Sequence, residues 1–295
     1  MQDKEPEEFR EREALLNIWR YFRTDRLALF SFYLFILFIL TALFGTWLAP
    51  YPSDMQFVGK ELLPPSWNDQ GTVTYFLGTD DIGRDVLSRL IIGAKYTFGG
   101  ATLVIIATAI VGGALGVLAG MSEGLKSRIL GHFLDAFLSV PILLIAIIIA
   151  TLMEASLLNA MLAILLALLP HFVHEVYQAV RKELTKEYVL TLRLDGASNL
   201  TLLREAILPN IAVPYVKEIA RAFTIAVFDI SALSFISLGA QRPQPEWGAM
   251  IRDSLDLIYL APWTVILPGI AIIIVILTVI ILGNGLCKAI QKYED

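Results

Sequence analysis

The chain has 295 residues, 56% hydrophobic and 17% charged, against roughly 45–50% and about 25% in soluble proteins. Positions 27 to 53, 96 to 122 and 257 to 287 carry no charged residue, and about 20 apolar residues cross a bilayer as a helix, so a soluble globular protein is excluded. The formal net charge of −5 argues against a nucleic-acid partner, and Cys287, the single cysteine, excludes an intrachain disulfide.

In chain order, a charged tail (1–26) precedes a first apolar run, Leu27 to Ala49, which reads as an uncleaved transmembrane helix ended by Pro50 and Pro52. A loop (50–95) leads to a largely apolar core (96–287), which opens with a second span, Tyr96 to Met121. The third span covers Ile129 to Thr151, with Asp135 near its start and Pro141 inside. Glu154 and Asn159 bracket a short turn into the fourth, Ser156 to His174. A polar segment (176–220) follows. Its first part, Gln178 to Leu194, reads as a helix stopped by Asp195-Gly196, glycine being the usual residue just past a helix end. Ser198 then caps a short helix, Asn199 to Leu208, broken at Pro209. The fifth span, Ile219 to Gly239, is the weakest because Asp229 sits near its middle. The sixth is Pro262 to Cys287, with Pro268 inside, and 288–295 form the C-terminus. The expected fold is an all-α integral membrane protein with six transmembrane helices. With both termini placed in the cytoplasm, 17 of the 23 Lys and Arg lie inside, as the positive-inside rule requires. On the outer side ten acidic residues face six basic ones, which favours approach of a cationic substrate.

Gly112, Gly116 and Gly120 share one face of the second span. That stripe permits close helix packing, either within the chain or against a partner subunit. Asp135 and Asp229 are the carboxylates at membrane depth and are candidates for lining a substrate path; the alternative for Asp135, near the inner surface, is to reach headgroup water, and for the deeper Asp229 a structural hydrogen bond across helices. His171, His174 and Glu175 share a helix face, but the H-E-x-x-H pattern of a zinc protease is absent and no metal is expected. Neither a G-x-x-x-x-G-K-[ST] loop nor a G-x-S-x-G elbow occurs, so the chain is expected to be no enzyme. In the polar segment, Leu200, Leu203 and Ile207 fall on one helix face with Leu202 and Ala206 beside it. Such a stripe needs a surface: its own bundle, a protein or lipid.

The polar segment resembles the cytoplasmic coupling segment of permease subunits of ATP-binding-cassette (ABC) importers. The matching positions are Tyr188-Val189, Gly196-Ala197-Ser198 and Ile207-Leu208-Pro209-Asn210. The family's E-A-A triplet is replaced by Leu190-Thr191-Leu192, which removes its glutamate. The block Leu77 to Leu90, with Gly78, Thr79, Asp80, Gly83, Arg84, Asp85 and Arg89, is similar to the outer-loop signature of dipeptide and oligopeptide permeases of the C type. Pro245 to Met250, Ala261-Pro262-Trp263 and Pro268-Gly269 are similar to their last outer loop. Leu194 to Ser198, and Asp229-Ile230 leading to Leu238 to Gln241, look most like the Sap-type branch.

The resemblance implies a type I ABC-importer permease in a bacterial inner membrane. It implies a B-type permease partner, two ATPase subunits and a periplasmic solute-binding protein. ATP and Mg would reside on the ATPase subunits, with no cofactor on this chain. Substrates in such systems are peptides, including antimicrobial peptides, and in some bacteria haem or polyamines; dipeptide and nickel importers share the architecture. The segment around Gly196 to Pro209 would couple to the ATPases. The charges of Asp80, Arg84, Asp85 and Arg89 would either dock the binding protein or brace the start of span two, with Thr79 and Asp80 capping a short helix. An ion-coupled secondary transporter is the alternative, though no internal repeat is visible.

Overall fold

The structure is a computed structural model and describes residues 15–57, 59–122 and 138–294. It is helical throughout apart from turns, and among the described residues the one β-type pairing is an isolated bridge between Thr79 and Asp85. A helix over residues 15–22 (α1) leads into α2 (Arg26–Leu48), whose start is capped by Asp25: its carboxylate accepts from the backbone N–H groups of Leu27 (3.1 Å) and Ala28 (3.2 Å). A long loop precedes α3 (Val86–Met121). Next come α4 (Ile142–Thr151) and α5 (Leu157–Leu184), the latter capped by Ser156. The short α6 (Glu187–Leu194) is followed by α7, built from Asn199–Thr201, a π-helical turn Leu202–Ile207, and Leu208–Asn210. The remaining helices are α8 (Ala212–Phe235), α9 (Trp247–Ser254) and α10 (Trp263–Glu294).

Among the described residues, four helices are long and apolar enough to cross a membrane: Arg26–Leu48, Val86–Met121, Leu157–Leu184 and Trp263–Tyr293. The expected third span is described only from Leu138 onward, where a turn at Ser139 leads into the ten-residue α4; Asp135 lies outside the described residues. Pro141 stands at the N-cap of α4 instead of inside a helix, a position where its missing N–H costs nothing. The fifth expected span exists as α8, 24 residues long. Every 18-residue stretch of it contains Glu218, Arg221 and Asp229, so it lacks the composition of the other four.

Several boundaries also shift. The second span starts ten residues early, at Val86, and the fourth continues from His174 to Leu184. The helix expected over Gln178 to Leu194 is divided between α5 and α6 at Thr185 and Lys186. Pro209 does not break α7. The π-helical turn before it, where the Leu208 N–H reaches back to the Leu203 carbonyl, makes room for the proline ring that would otherwise meet the carbonyl four residues earlier.

The glycine stripe packs within the chain. A Cβ on Gly112 would meet Phe172 at 3.0 Å, on Gly116 Val176 at 2.6 Å, and on Gly120 Val180 at 2.6 Å. The two helix backbones therefore lie closer together than any side chain would allow, the arrangement that holds helices together in lipid. The partner positions advance with the glycines, so α3 and α5 run parallel. Smaller contacts complete the bundle: Ala220 of α8 against Gly283 of α10, and Ala28 of α2 against Gly285 of α10. Phe35, Phe98 and Phe223 join α2, α3 and α8, with ring centroids 5.3 to 6.0 Å apart.

Gly116→Leu is expected to overpack the α3–α5 contact and lower stability by about 1–3 kcal/mol. Gly269, with nothing within 4 Å of its would-be Cβ, is the control, and Gly269→Ala is expected to leave the unfolding temperature in detergent unchanged. Equal unfolding temperatures for Gly116→Leu and the parent would contradict the packing account.

Candidate functional site

Two polar clusters sit at opposite ends of the α3–α5 pair, one before Val86 and one after Leu184. The first is built on the tight turn Thr79 to Asp85. Gly78 (φ +82°) and Gly83 (φ +70°) both occupy the left-handed region that suits glycine. The Asp80 carboxylate accepts from the Arg84 N–H (2.9 Å), the Ile82 N–H (3.2 Å) and the Arg84 Nε (2.6 Å), and Arg89 Nε lies 3.6 Å away. Arg89 also donates to the Ser53 carbonyl at 3.0 Å. Asp80, Arg84, Asp85 and Arg89 are all buried.

It is Asp85, and not Thr79 or Asp80, that caps the helix, accepting from the Ser88 N–H (2.8 Å) and hydroxyl (2.6 Å). Thr79 instead donates its hydroxyl proton to the Lys60 carbonyl (2.6 Å) and accepts from the Leu63 N–H (2.8 Å). The Trp263 indole donates to the Thr79 carbonyl at 3.1 Å, and Asp80, Arg84 and Arg89 share a small void with Asp253 and Thr264. The signature loop is thus closed onto the start of α10.

Beside it lies a site the sequence reading did not single out. Glu246 is fully buried and caps α9 through the Ala249 N–H at 2.9 Å. It also accepts from the hydroxyls of Thr97 in α3 (2.7 Å) and Ser231 in α8 (3.1 Å). The Trp247 N–H donates to Thr97 and its indole to the Leu90 carbonyl. One carboxylate thereby joins three helices. The Pro-Glu-Trp-Gly run was visible in the sequence, but its partner lies 149 residues away.

The second cluster is the segment 185–211. Asp195 ends α6, and Gly196 follows with φ +86°. The Ala197 N–H reaches back to the Leu192 carbonyl, and Ser198 caps α7 by accepting from the Thr201 N–H at 3.2 Å. Tyr188 ties the pieces together. Its hydroxyl donates to Glu183 at the end of α5 and accepts from Asn210 Nδ2 at 3.1 Å, while Asn210 also donates to the Ala206 carbonyl at 2.7 Å. Burial and the Glu183 carboxylate push the Tyr188 phenol above its ordinary range. Lys186 holds the other Glu183 oxygen at 2.9 Å.

The apolar stripe is not the expected one. Val189, Leu202, Ala206 and Ile207 are buried against the bundle, Leu203 is half-buried and Pro209 exposed, while Leu200 points outward. The π-helical turn carries more residues per turn than an α-helix, so the phase of a 3.6-residue wheel fails there. The outward apolar surface consists of Leu190, Leu194 and Leu200, exposed by 51, 89 and 56%; Ala197 is half-buried and Ser198 exposed.

Asp229 is 2% exposed, enclosed by this chain's own helices, and among the described residues one of its carboxylate oxygens has no hydrogen-bond partner. His171 and His174 are likewise buried in α5.

Asp80→Ala is expected to leave Arg84 and Arg89 buried without their shared anion and to cost about 3–5 kcal/mol. Limited proteolysis within residues 50–85 should then accelerate well before global unfolding. An unchanged cleavage rate would show that the loop is held by other contacts.

Comparison with known proteins places these clusters in context. The family described as binding-protein-dependent transport system inner membrane component matches residues 112–292, and the N-terminal TM domain of oligopeptide transport permease C matches residues 15–65. The chain is 62% identical over 295 residues, all of both chains, to the peptide transport system permease protein SapC of Haemophilus influenzae. It is 51% identical over 277 residues, 94% of each chain, to the protein of the same name from Escherichia coli. To the dipeptide transport system permease protein DppC of Escherichia coli it is 36% identical, covering 94% of this chain and 92% of the relative. The chain belongs to the binding-protein-dependent ABC transport permeases, in the C-type group of the peptide permeases.

Proposed function

We propose that the chain is one of two permease subunits of a bacterial inner-membrane ABC importer for peptides, moving them by alternating access. The observation that carries this is the outward leucine surface of segment 185–211. Leu190, Leu194 and Leu200 are exposed on a unit whose other face is buried and pinned by Tyr188 to the end of α5. An apolar surface on a rigid polar-side segment fits docking on an ATPase subunit, and the buried face would transmit the motion to α5 and α8. The substrate class follows from the relatives' description as peptide transport permeases. Six crossings with both termini in the cytoplasm, α4 and α8 completing the four apolar helices, agree with the parallel course of α3 and α5, which requires one crossing between them.

In this reading the partners are a B-type permease, two ATPase subunits that hold ATP and Mg, and a periplasmic solute-binding protein. This chain carries no cofactor and catalyses no reaction. The buried state of Asp80, Arg84, Asp85 and Arg89 favours bracing of α3 over direct docking of the binding protein. An ion-coupled secondary transporter is not favoured by full-length likeness to permeases of binding-protein-dependent systems.

Gly196 supplies a sharp test. Its φ of +86° costs a residue with a Cβ about 1–2 kcal/mol, more for a β-branched one, yet nothing lies within 4 Å of a would-be Cβ. Gly196→Val is expected to reduce ATP-driven peptide uptake at least tenfold with normal membrane insertion, whereas Gly196→Asn, which tolerates that conformation, keeps most of it. Leu200→Glu should lose co-purification with the ATPase subunits. Normal uptake by Gly196→Val, or undiminished ATPase capture by Leu200→Glu, would refute the coupling role.

A further inference from the structure

Among the described residues, one face of α8 has no partner within the chain. Pro214, Lys217, Arg221, Phe228 and Phe235 are exposed at helical spacing, with Thr224 half-buried between them. The half nearest the segment 185–211 is charged and the far half aromatic. Charged side chains on a membrane-crossing helix face a bundle interior, a protein partner or water, not lipid. The charged half opens into a cavity of about 650 Å³ between α5, α8 and α10, lined by Glu175, Lys217, Glu218, Arg221, Thr224 and Asn284 among others.

Within this cavity one side chain is held for a ligand. Glu218 is 6% exposed and receives Arg221 in a bidentate pair, Nε at 2.7 Å and one Nη at 2.6 Å. The Arg221 side chain itself remains 43% exposed. A guanidinium carries five N–H donors in a planar fork. The pair with Glu218 occupies one edge of that fork, and among the described residues no hydrogen bond engages the other Nη. The free edge has the geometry that takes a carboxylate through two parallel bonds. Lys217, a turn away on the same face, adds an ammonium. Glu218 so acts as the positioning residue and Arg221 as the contact.

We propose that Arg221, oriented by Glu218 and assisted by Lys217, forms a transient site for a peptide carboxylate in the half of the path nearest the coupling segment. The proposal rests on the peptide-importer reading. It names the recognised group as the free C-terminus or an acidic side chain. Glu175 of α5 lines the same cavity.

The test uses the whole transporter in nanodiscs of phosphatidylethanolamine and phosphatidylglycerol, without the binding protein, probed with tri-alanine and its C-terminal amide by saturation-transfer NMR. The wild-type complex is expected to bind the free acid at least tenfold more tightly than the amide. Arg221→Gln should abolish that preference while amide binding stays unchanged, and Glu218→Gln, which keeps the guanidinium but releases its orientation, should reduce it. Equal affinity of the wild type for acid and amide overturns the proposal without any variant having to assemble. Equal loss of both ligands in Arg221→Gln overturns it too, since that marks a structural role. ATP-driven uptake by the wild-type complex in proteoliposomes separates the two levels: import without acid preference in binding defeats this site alone, and a complex that imports no peptide defeats the importer reading and this site with it.

Discussion

The contact between α3 and α5 is the constraint on which the rest depends. In lipid no hydrophobic effect drives helices together, and close dispersion contact must do so instead. Gly112, Gly116 and Gly120 leave a groove into which Phe172, Val176 and Val180 settle against backbone. Because the two helices run parallel in step, they form one strut. One end begins at Asp85, in the ion-paired turn, and the other stops at Glu183, on which Tyr188 and Lys186 converge. Segment 185–211 is therefore fixed to one end of a close-packed pair of helices whose far end is anchored to α10 through Trp263 and Thr79.

The two ends use different chemistry, which suits different duties. The turn before α3 buries Asp80, Arg84 and Arg89 together. Buried ion pairs contribute little net stability, yet any separation exposes an uncompensated charge to a dry environment. Such a cluster resists rearrangement. Segment 185–211 is held by hydroxyl, amide and carboxylate bonds around Tyr188, partly exposed, with a glycine turn at Gly196 and a widened helical turn at Leu202–Ile207. The fold thus places a buried, ion-paired cluster at one end of the strut and a partly exposed, hydrogen-bonded one at the other.

How far the sequence reveals this follows from how local each cause is. The apolar lengths of α2, α3 and α10 are set by the bilayer and were legible, as was the glycine turn after α6, which depends on Asp195 and Gly196 alone. The end of α5 was not, because His171, His174, Glu175 and Gln178 lower hydropathy without interrupting helical hydrogen bonds, and the helix continues to Leu184. The buried face of α7 was misread for a geometric reason: Pro209 shifts the turn before it to π spacing, so Leu200 faces out and Leu202 faces in. The capping role belongs to Asp85 and not to Thr79 or Asp80, since α3 starts ten residues before its apolar run. Glu246 could not be paired with Thr97 from local pattern at all, the two being brought together only by the tertiary packing of α9 on α3.

The same reasoning bears on α8, no 18-residue stretch of which is free of Glu218, Arg221 and Asp229. A helix carrying Lys217, Glu218, Arg221 and Asp229 would be poorly accepted by lipid on its own. Here two of those charges, Glu218 and Asp229, are enclosed by neighbouring helices, and Arg221 is neutralised in part by Glu218. What remains exposed, Lys217 and the free edge of Arg221, needs water or a polar partner. By contrast α2 is only 11% buried over its most apolar stretch and bears no charge beyond Arg26, the pattern of a helix wrapped by acyl chains. Low hydropathy in α8 thus has a physical reading: charges on a helix packed among apolar ones call for water, a buried counter-charge or a polar partner.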